Sequence, residues 1–337
     1  MPHIEVIDGV VEIRCNDAVE FMKVLTPLGG VFTRDERESV SIFRGVASID
    51  FDLLPAVFRR GTHILFMGER TGPPWERAYA QCSAELAVIQ SFFEIAARHG
   101  IRLPEDSQVL RTELERWRIH LTRAEGKRMP AFTWPPPVFY SLIALAQHYG
   151  APTRALDWTW HGLVAAYFAA RSAALDRDDW LCVWCYSYTA RQSELLVADL
   201  FPDHRPESAR SLMVFTASGA DNENLRAQAG LFMLYSQQVN SWDQPFVPTS
   251  YKDLALKSVL REDKWPVLSR VLLPTREARR VMVFLANAGI TAGSMFPGLW
   301  GVAREMEERW LLSNEPTEYT PFANEVRERI RNECQGG

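Results

Sequence analysis

Gln147-His148-Tyr149-Gly150-Ala151-Pro152-Thr153-Arg154-Ala155-Leu156-Asp157-Trp158-Thr159 joins two apolar segments. Ahead of it, Phe139, Leu142, Ala146 and Tyr149 recur at the three/four spacing of one helix face. Gly150 stands where a left-handed residue would end that helix, and Pro152 cannot continue it. The Thr- and Trp-bearing residues that follow read as a strand. Alternation on a strand puts Thr153, Asp157 and Thr159 on one face and Arg154, Leu156 and Trp158 on the other. A second apolar helix, 163–175, starts almost at once. Ionisable groups confined between two apolar helices must be paired or serve a ligand, so this turn is the first candidate site.

Towards the N-terminus, residues 4–13 read as a hairpin, because Asp8-Gly9 suits a type I′ turn. Asn16 is placed to cap a helix that runs to about Leu25, with Gly29 and Gly30 closing it. A charged loop, 34–38, precedes an alternating strand at 40–45. A compact turn follows at 51–58, closed by Arg59, Arg60 and Gly61, and 68–74 reads as a surface loop. Tyr79, Cys82, Leu86, Ile89, Phe93 and Ala96 mark one long amphipathic helix, stopped by Gly100. Leu110, Leu114, Trp117 and Leu121 mark another after a Ser107 cap. The Pro-rich stretch 129–137 then breaks the pattern. Beyond Asp179, strands are expected at 180–188, 212–218, 230–236 and 269–274, with loops or insertions at 193–210 and 238–252. Helices are expected at 276–288, ended by Gly289, and at 299–312 and 324–331. These elements make a mixed α+β chain, helix-rich in its first half and strand-rich in its second. The organisation is a hairpin–helix extension (1–38), one central domain (39–312) and a helical tail (313–337). No internal repeat is visible.

Composition narrows the function classes. Of 337 residues, 47% are hydrophobic and 23% charged, which is ordinary globular material. Lys plus Arg number 37 against 42 Asp plus Glu, a net charge of −5, so no global basic field drives nucleic-acid binding. No apolar run approaches membrane-spanning length, and the first residues lack a signal-peptide pattern. Five cysteines without framework spacing point to a reducing, cytoplasmic setting. Cys182 and Cys185 have zinc-ligand spacing but no second pair, so core packing in an apolar strand is the expectation, and no metal. A Walker loop, a dinucleotide fingerprint, a nucleophile elbow and HExxH are all absent from the sequence.

Phe43-Arg44-Gly45, the thirteen-residue stretch above and Ala166-Tyr167-Phe168-Ala169 resemble the FRG-domain family, named for its aromatic-Arg-Gly motif. Arg226-Ala227-Gln228-Ala229-Gly230-Leu231-Phe232 and Met295-Phe296-Pro297-Gly298-Leu299 fit the same pattern. The resemblance spans about Ile42 to Arg304, with Ala155 where the family usually has Leu. A weaker resemblance links the aromatic-Arg-Gly strand to the first motif of ADP-ribosyltransferases. It implies a split sheet, NAD as co-substrate and transfer of ADP-ribose to a protein or nucleic-acid acceptor, and the family resemblance adds a toxin or phage-defence setting. The catalytic set it implies is Gln228, Asp157 and His148, with cofactor contacts from Arg44, Gly45, Thr153, Arg154, Trp158, Thr159 and Arg226. Gln228 falls where that superfamily places a glutamate. A glutamine hydrogen-bonds a ribose hydroxyl but cannot act as a base.

The residues themselves support that chemistry in part. The planar fork of Arg44 suits a pyrophosphate or ribose, and Gly45 lets a flat ring approach the backbone. Three positive groups, Arg44, Arg154 and Arg226, against Asp157 would leave a surplus that suits an anion. Two other readings stay open. Arg44, His148, Arg154, Asp157 and Arg226 form a buried scaffold network, with Arg44 or Arg154 paired to Asp157. Alternatively, Arg59, Arg60, Arg111, Arg116, Arg118, Arg123, Lys127 and Arg128, interleaved with Trp117 and Trp134, form a nucleic-acid surface. The ligand and network readings both require Arg44 and Asp157 in contact, with Gln228 lining the same cleft.

Overall fold

Trp180–Tyr188, nine residues without charge or proline, is the central strand of the protein and is buried along almost its whole length. The computed structural model describes residues 1–32, 39–59, 74–103, 106–123, 132–173, 179–188, 212–217, 222–239, 250–257 and 267–312. In chain order the elements are β1 (His3–Ile7), β2 (Val10–Arg14), α1 (Ala18–Leu25), β3 (Val40–Val46), α2 (Pro74–Arg98), α3 (Gln108–Arg123), β4 (Phe132–Trp134) and α4 (Tyr140–His148). Next come β5 (Leu156–Thr159), α5 (Gly162–Ser172), β6 (Trp180–Tyr188), β7 (Leu212–Phe215), α6 (Glu223–Ala227) and β8 (Gly230–Tyr235). The last are β9 (Gln237–Val239), α7 (Tyr251–Lys257), β10 (Val267–Pro274), α8 (Ala278–Asn287), α9 (Ala292–Met295) and α10 (Leu299–Leu312).

Eight strands form one mixed sheet in the order β1-β2-β10-β6-β3-β5-β8-β7, and β4 pairs with β9. The β2/β10 pair is parallel, and its neighbours are antiparallel. Alternation along β6 separates the two faces: Leu181, Val183 and Cys185 pack with α1, α5 and α8, whereas Cys182, Trp184 and Tyr186 pack with Tyr251 and Ala255 of α7. On the first of these faces, α2, α3 and α4 cover the far strands through Phe232, Leu234 and Met213. Strand registers place Asp157, opposite Phe232, on this same face. It therefore lies where the two helical groups meet.

The fold is α+β, and the strands read at 4–13, at 40–45 and in the central stretch form as β1, β2, β3 and β5, with β4 in addition. The hairpin forms as its sequence requires, with Asp8 and Gly9 both at positive φ (49 and 81). The α1 cap is Asp17, whose side chain accepts from the Glu20 amide, while Asn16 bonds the Glu20 carboxylate. The α2 apolar face and the Ser107 cap of α3 form as read. Tyr149 departs from its expected core position and is 62% exposed, because α4 ends at His148 and Gly150 turns the chain at φ 86. Strands β4 and β9 fall in stretches expected to be irregular, and helix α7 starts at the very end of the expected 238–252 loop. The expected loops at 34–38 and 193–210, Arg60, Gly61, most of the 68–74 loop, Lys127, Arg128 and the 324–331 helix lie outside the described residues. Among the described residues no helix is long and apolar enough to cross a membrane.

Cys182 and Cys185 point to opposite faces of β6 and are fully buried. Burial raises both thiols, Cys185 to about 12. A shared metal is excluded by that alternation, and the pair packs the core.

Candidate functional site

The sheet parts between β3 and β5. These strands share one registered pair, Phe43 with Thr159, and the ladder ends there. Arg44 fills the gap: its Nη1 donates to the Asp157 carbonyl at 2.6 Å and lies 3.8 Å from Asp157 Oδ2. Gly45 seats α5 on the strand, since a Cβ there would lie 1.9 Å from the Ala165 carbonyl oxygen. Its lack of a side chain therefore serves helix packing, whatever it does for a ligand.

The turn after α4 supplies the rest of the junction. Gly150 and Ala151 donate to the Gln147 and Ala146 carbonyls at 2.9 Å, which closes the helix end. This holds Gln147 and His148 against β5. Gln147 Nε2 donates to Asp157 Oδ2 at 3.1 Å, while its Oε1 accepts from the Thr153 hydroxyl at 2.9 Å. The amide is thus oriented from both ends. Burial lowers the His148 pKa, with Asp157 opposing, so the imidazole is neutral near pH 7.

Arg44, Gly45, Gln147, His148, Asp157, Thr159 and Gln228 line one cavity of about 1090 Å³. Thr159 donates from its hydroxyl to the Gln228 carbonyl at 2.8 Å. Gln228 Nε2 is spent on the Met295 carbonyl at 3.0 Å. Phe168, Phe296 and Trp300 form an aromatic wall, with centroid separations of 6.0 Å and 4.9 Å along the row. Trp158 also borders the cavity, but it is only 3% exposed and packs in the core with Trp184 and Leu231.

The remaining expected site residues lie elsewhere. Arg154, 2% exposed, pairs with Glu85 through Nε to Oε2 at 2.6 Å and Nη2 to Oε1 at 2.8 Å. Thr153 is buried and reaches the site only through Gln147. Arg226 is exposed and does not line the cavity. The expected network is therefore two structures, a cleft junction at Arg44–Asp157 and a separate core pair at Arg154–Glu85. The expected cationic surplus is also corrected, because the cavity is lined by Asp50, Asp52 and Asp157 alongside Arg44 and Arg59. Within the basic stripe of α3, Arg111, Arg116 and Arg118 each pair with a neighbouring carboxylate at 2.6 Å.

Sequence reading assigned no role to Gln147, Asn224, Glu85 or the aromatic wall. Glu85 did leave a signal, as a carboxylate on the apolar face of α2 beside Cys82, Leu86 and Ile89. The junction, by contrast, sits in a recognisable segment. Residues 39–178 match the FRG domain. The match takes in β3, the turn after α4, β5 and α5, so Arg44, Gln147, His148 and Asp157 are all FRG residues. Gln228, Phe296 and Trp300 come from beyond it and complete the same cavity. No curated protein and no solved structure matches the chain.

The junction geometry changes what removal of the FRG carboxylate should do. Asp157 is 44% exposed and its partner is 3.8 Å away. Such a pair is worth about 1 kcal/mol or less, not the 3–5 kcal/mol of a buried ion pair. Asp157→Asn should therefore shift a urea midpoint only slightly. A loss of several kcal/mol would place Asp157 with the scaffold.

Proposed function

We propose that the cleft beside the FRG motif binds NAD and that the protein transfers ADP-ribose to a macromolecular acceptor. The observation that carries this reading is the Arg44–Asp157–Gln147 junction, open to a cavity of about 1090 Å³ with an aromatic wall. A roomy cleft with ring faces and a few fixed polar groups suits a nucleotide.

In such a transfer the glycosidic bond to nicotinamide breaks, nicotinamide leaves with the bonding pair, and an acceptor lone pair bonds the same carbon as its proton departs. Positive charge develops at the sugar, which a nearby carboxylate stabilises. Asp157 is the carboxylate held by both Gln147 and Arg44. His148, neutral, has a ring nitrogen free to accept the acceptor's proton. Gln228 contributes wall and hydrogen bonds, not proton transfer. Arg44 spends Nη1 on the Asp157 carbonyl, and its Nε and Nη2 make no hydrogen bond among the described residues, which leaves that edge for phosphate or ribose oxygens.

A thermal-shift titration with NAD tests the binding step. A ligand at a hundred times its Kd stabilises the folded state by about 2.7 kcal/mol, so the midpoint should rise with NAD concentration. Arg44→Lys should weaken the response roughly ten- to a hundredfold, because a point charge cannot reproduce the guanidinium edge. Labelled NAD with candidate acceptors then tests turnover. Absence of any shift with NAD, or a salt-sensitive shift with single-stranded RNA or DNA alone, overturns the reading.

A further inference from the structure

Asn224 is one helical turn ahead of Gln228, whose amide donates to the Asn224 carbonyl at 3.0 Å, so the two side chains share a face and both line the cavity. Gln228 is fixed beside the aromatic wall by its bond to the Met295 carbonyl, next to Phe296. The Asn224 carboxamide makes no hydrogen bond among the described residues, which leaves an amide donor and an amide acceptor facing the cleft. Ring faces alone accept any base. A carboxamide beside them selects a ring that offers a donor and an acceptor side by side.

We infer that Asn224 is the specificity-determining residue of a ring subsite against Phe296 and Trp300. The subsite takes a flat heterocycle whose edge presents an adjacent N–H donor and acceptor. Adenine carries that pattern in its exocyclic amine and ring nitrogen, and nicotinamide carries it in its carboxamide. The inference rests on the nucleotide reading of the cleft, and probes carrying a single ring separate the two halves of NAD.

The test uses the full chain, with AMP, nicotinamide mononucleotide, GMP and purine riboside 5′-monophosphate as separate probes in binding titrations. Wild-type protein should bind AMP or nicotinamide mononucleotide in preference to purine riboside 5′-monophosphate, whose base has no N–H donor, and the probe preferred identifies the ring. Asn224→Ala should weaken that probe roughly ten- to a hundredfold, the usual discrimination of one bidentate contact. Asn224→Asp keeps the size and the acceptor but loses the donor. It should reduce binding of the preferred probe and raise that of GMP, whose edge offers two donors to a carboxylate. That reversal of preference cannot come from a merely damaged fold. Equal binding of all probes by the wild type, or an unchanged preference in both variants, overturns the inference while leaving NAD binding at Arg44 intact. NAD binding lost only in Arg44→Lys separates failure of this subsite from failure of the cleft. No binding of NAD or of any probe overturns both.

Discussion

Replacing Glu85 by Gln should lower stability by about 3–5 kcal/mol, the cost of leaving a buried charge without its partner. Glu85 is 6% exposed and accepts from Arg154 Nε and Nη2, from Trp134 Nε1 at 2.9 Å and from Gln81 Nε2 at 3.0 Å. Arg154 also donates Nη1 to the Trp134 and Tyr235 carbonyls, at 3.3 and 3.1 Å. Burial works against the Arg154 charge, and the Glu85 carboxylate more than offsets this, so its pKa stands above the ordinary value. The substitution keeps the shape, removes the neutralising charge and turns an amide N–H₂ towards existing donors. Arg154 is held from α2, β4 and β8 at once, and its own carbonyl accepts from Tyr251 at 2.5 Å, so the loss should propagate across the whole cooperative unit. Urea unfolding measures it. A midpoint shift worth less than about 1 kcal/mol, the value of an exposed pair, would contradict the central role of this pair.

Asp157, which sequence reading made the counter-ion of buried arginines, is the weaker partner in the fold. The motif placed Arg154 and Asp157 three residues apart on one strand, but β5 begins only at Leu156, so Arg154 lies in the bend before it and turns to α2. The motif could not say what each residue meets. Arg154 meets Glu85, 69 residues away on α2, and such a pairing has no local trace beyond one carboxylate on an apolar helix face.

Elements whose signals are local were legible. The helix faces of α2 and α3, the Asp8-Gly9 turn and the left-handed stops at Gly100, Gly150 and Gly289 follow from side-chain periodicity and backbone freedom. Arg44, Asp157 and Gln228 do line one cavity, because each occupies a polar break at the end of an apolar segment. The charge balance of that cavity was not legible. It depends on Asp50 and Asp52 from the turn after β3, and on the withdrawal of Arg154 and Arg226, all of which are settled by tertiary packing. The short strands β4 and β9 escaped for the same reason. Three residues carry no period, and they are defined only by pairing with each other.

Gly45→Ala should cost about 3 kcal/mol, the top of the usual range for overpacking. An added Cβ would lie 1.9 Å from the Ala165 carbonyl oxygen and 2.7 Å from the Ala169 amide nitrogen. Both are main-chain atoms of α5, so no rotamer change relieves the clash. The helix itself must move. It approaches β3 this closely because Ala165, Ala166, Ala169 and Ala170 give it a small-residue face, all of them buried. A shift of α5 would carry Phe168 and Ser172 out of the cleft wall and strain the single Phe43–Thr159 pair that joins the two halves of the sheet. Stability and ligand binding should therefore fall together. If Gly45 served only to admit a ligand ring to the backbone, the alanine variant would unfold at the wild-type urea midpoint and lose binding alone. Unfolding curves and an NAD titration on the same preparation distinguish these outcomes, and an unchanged midpoint would overturn the packing role assigned to the FRG glycine.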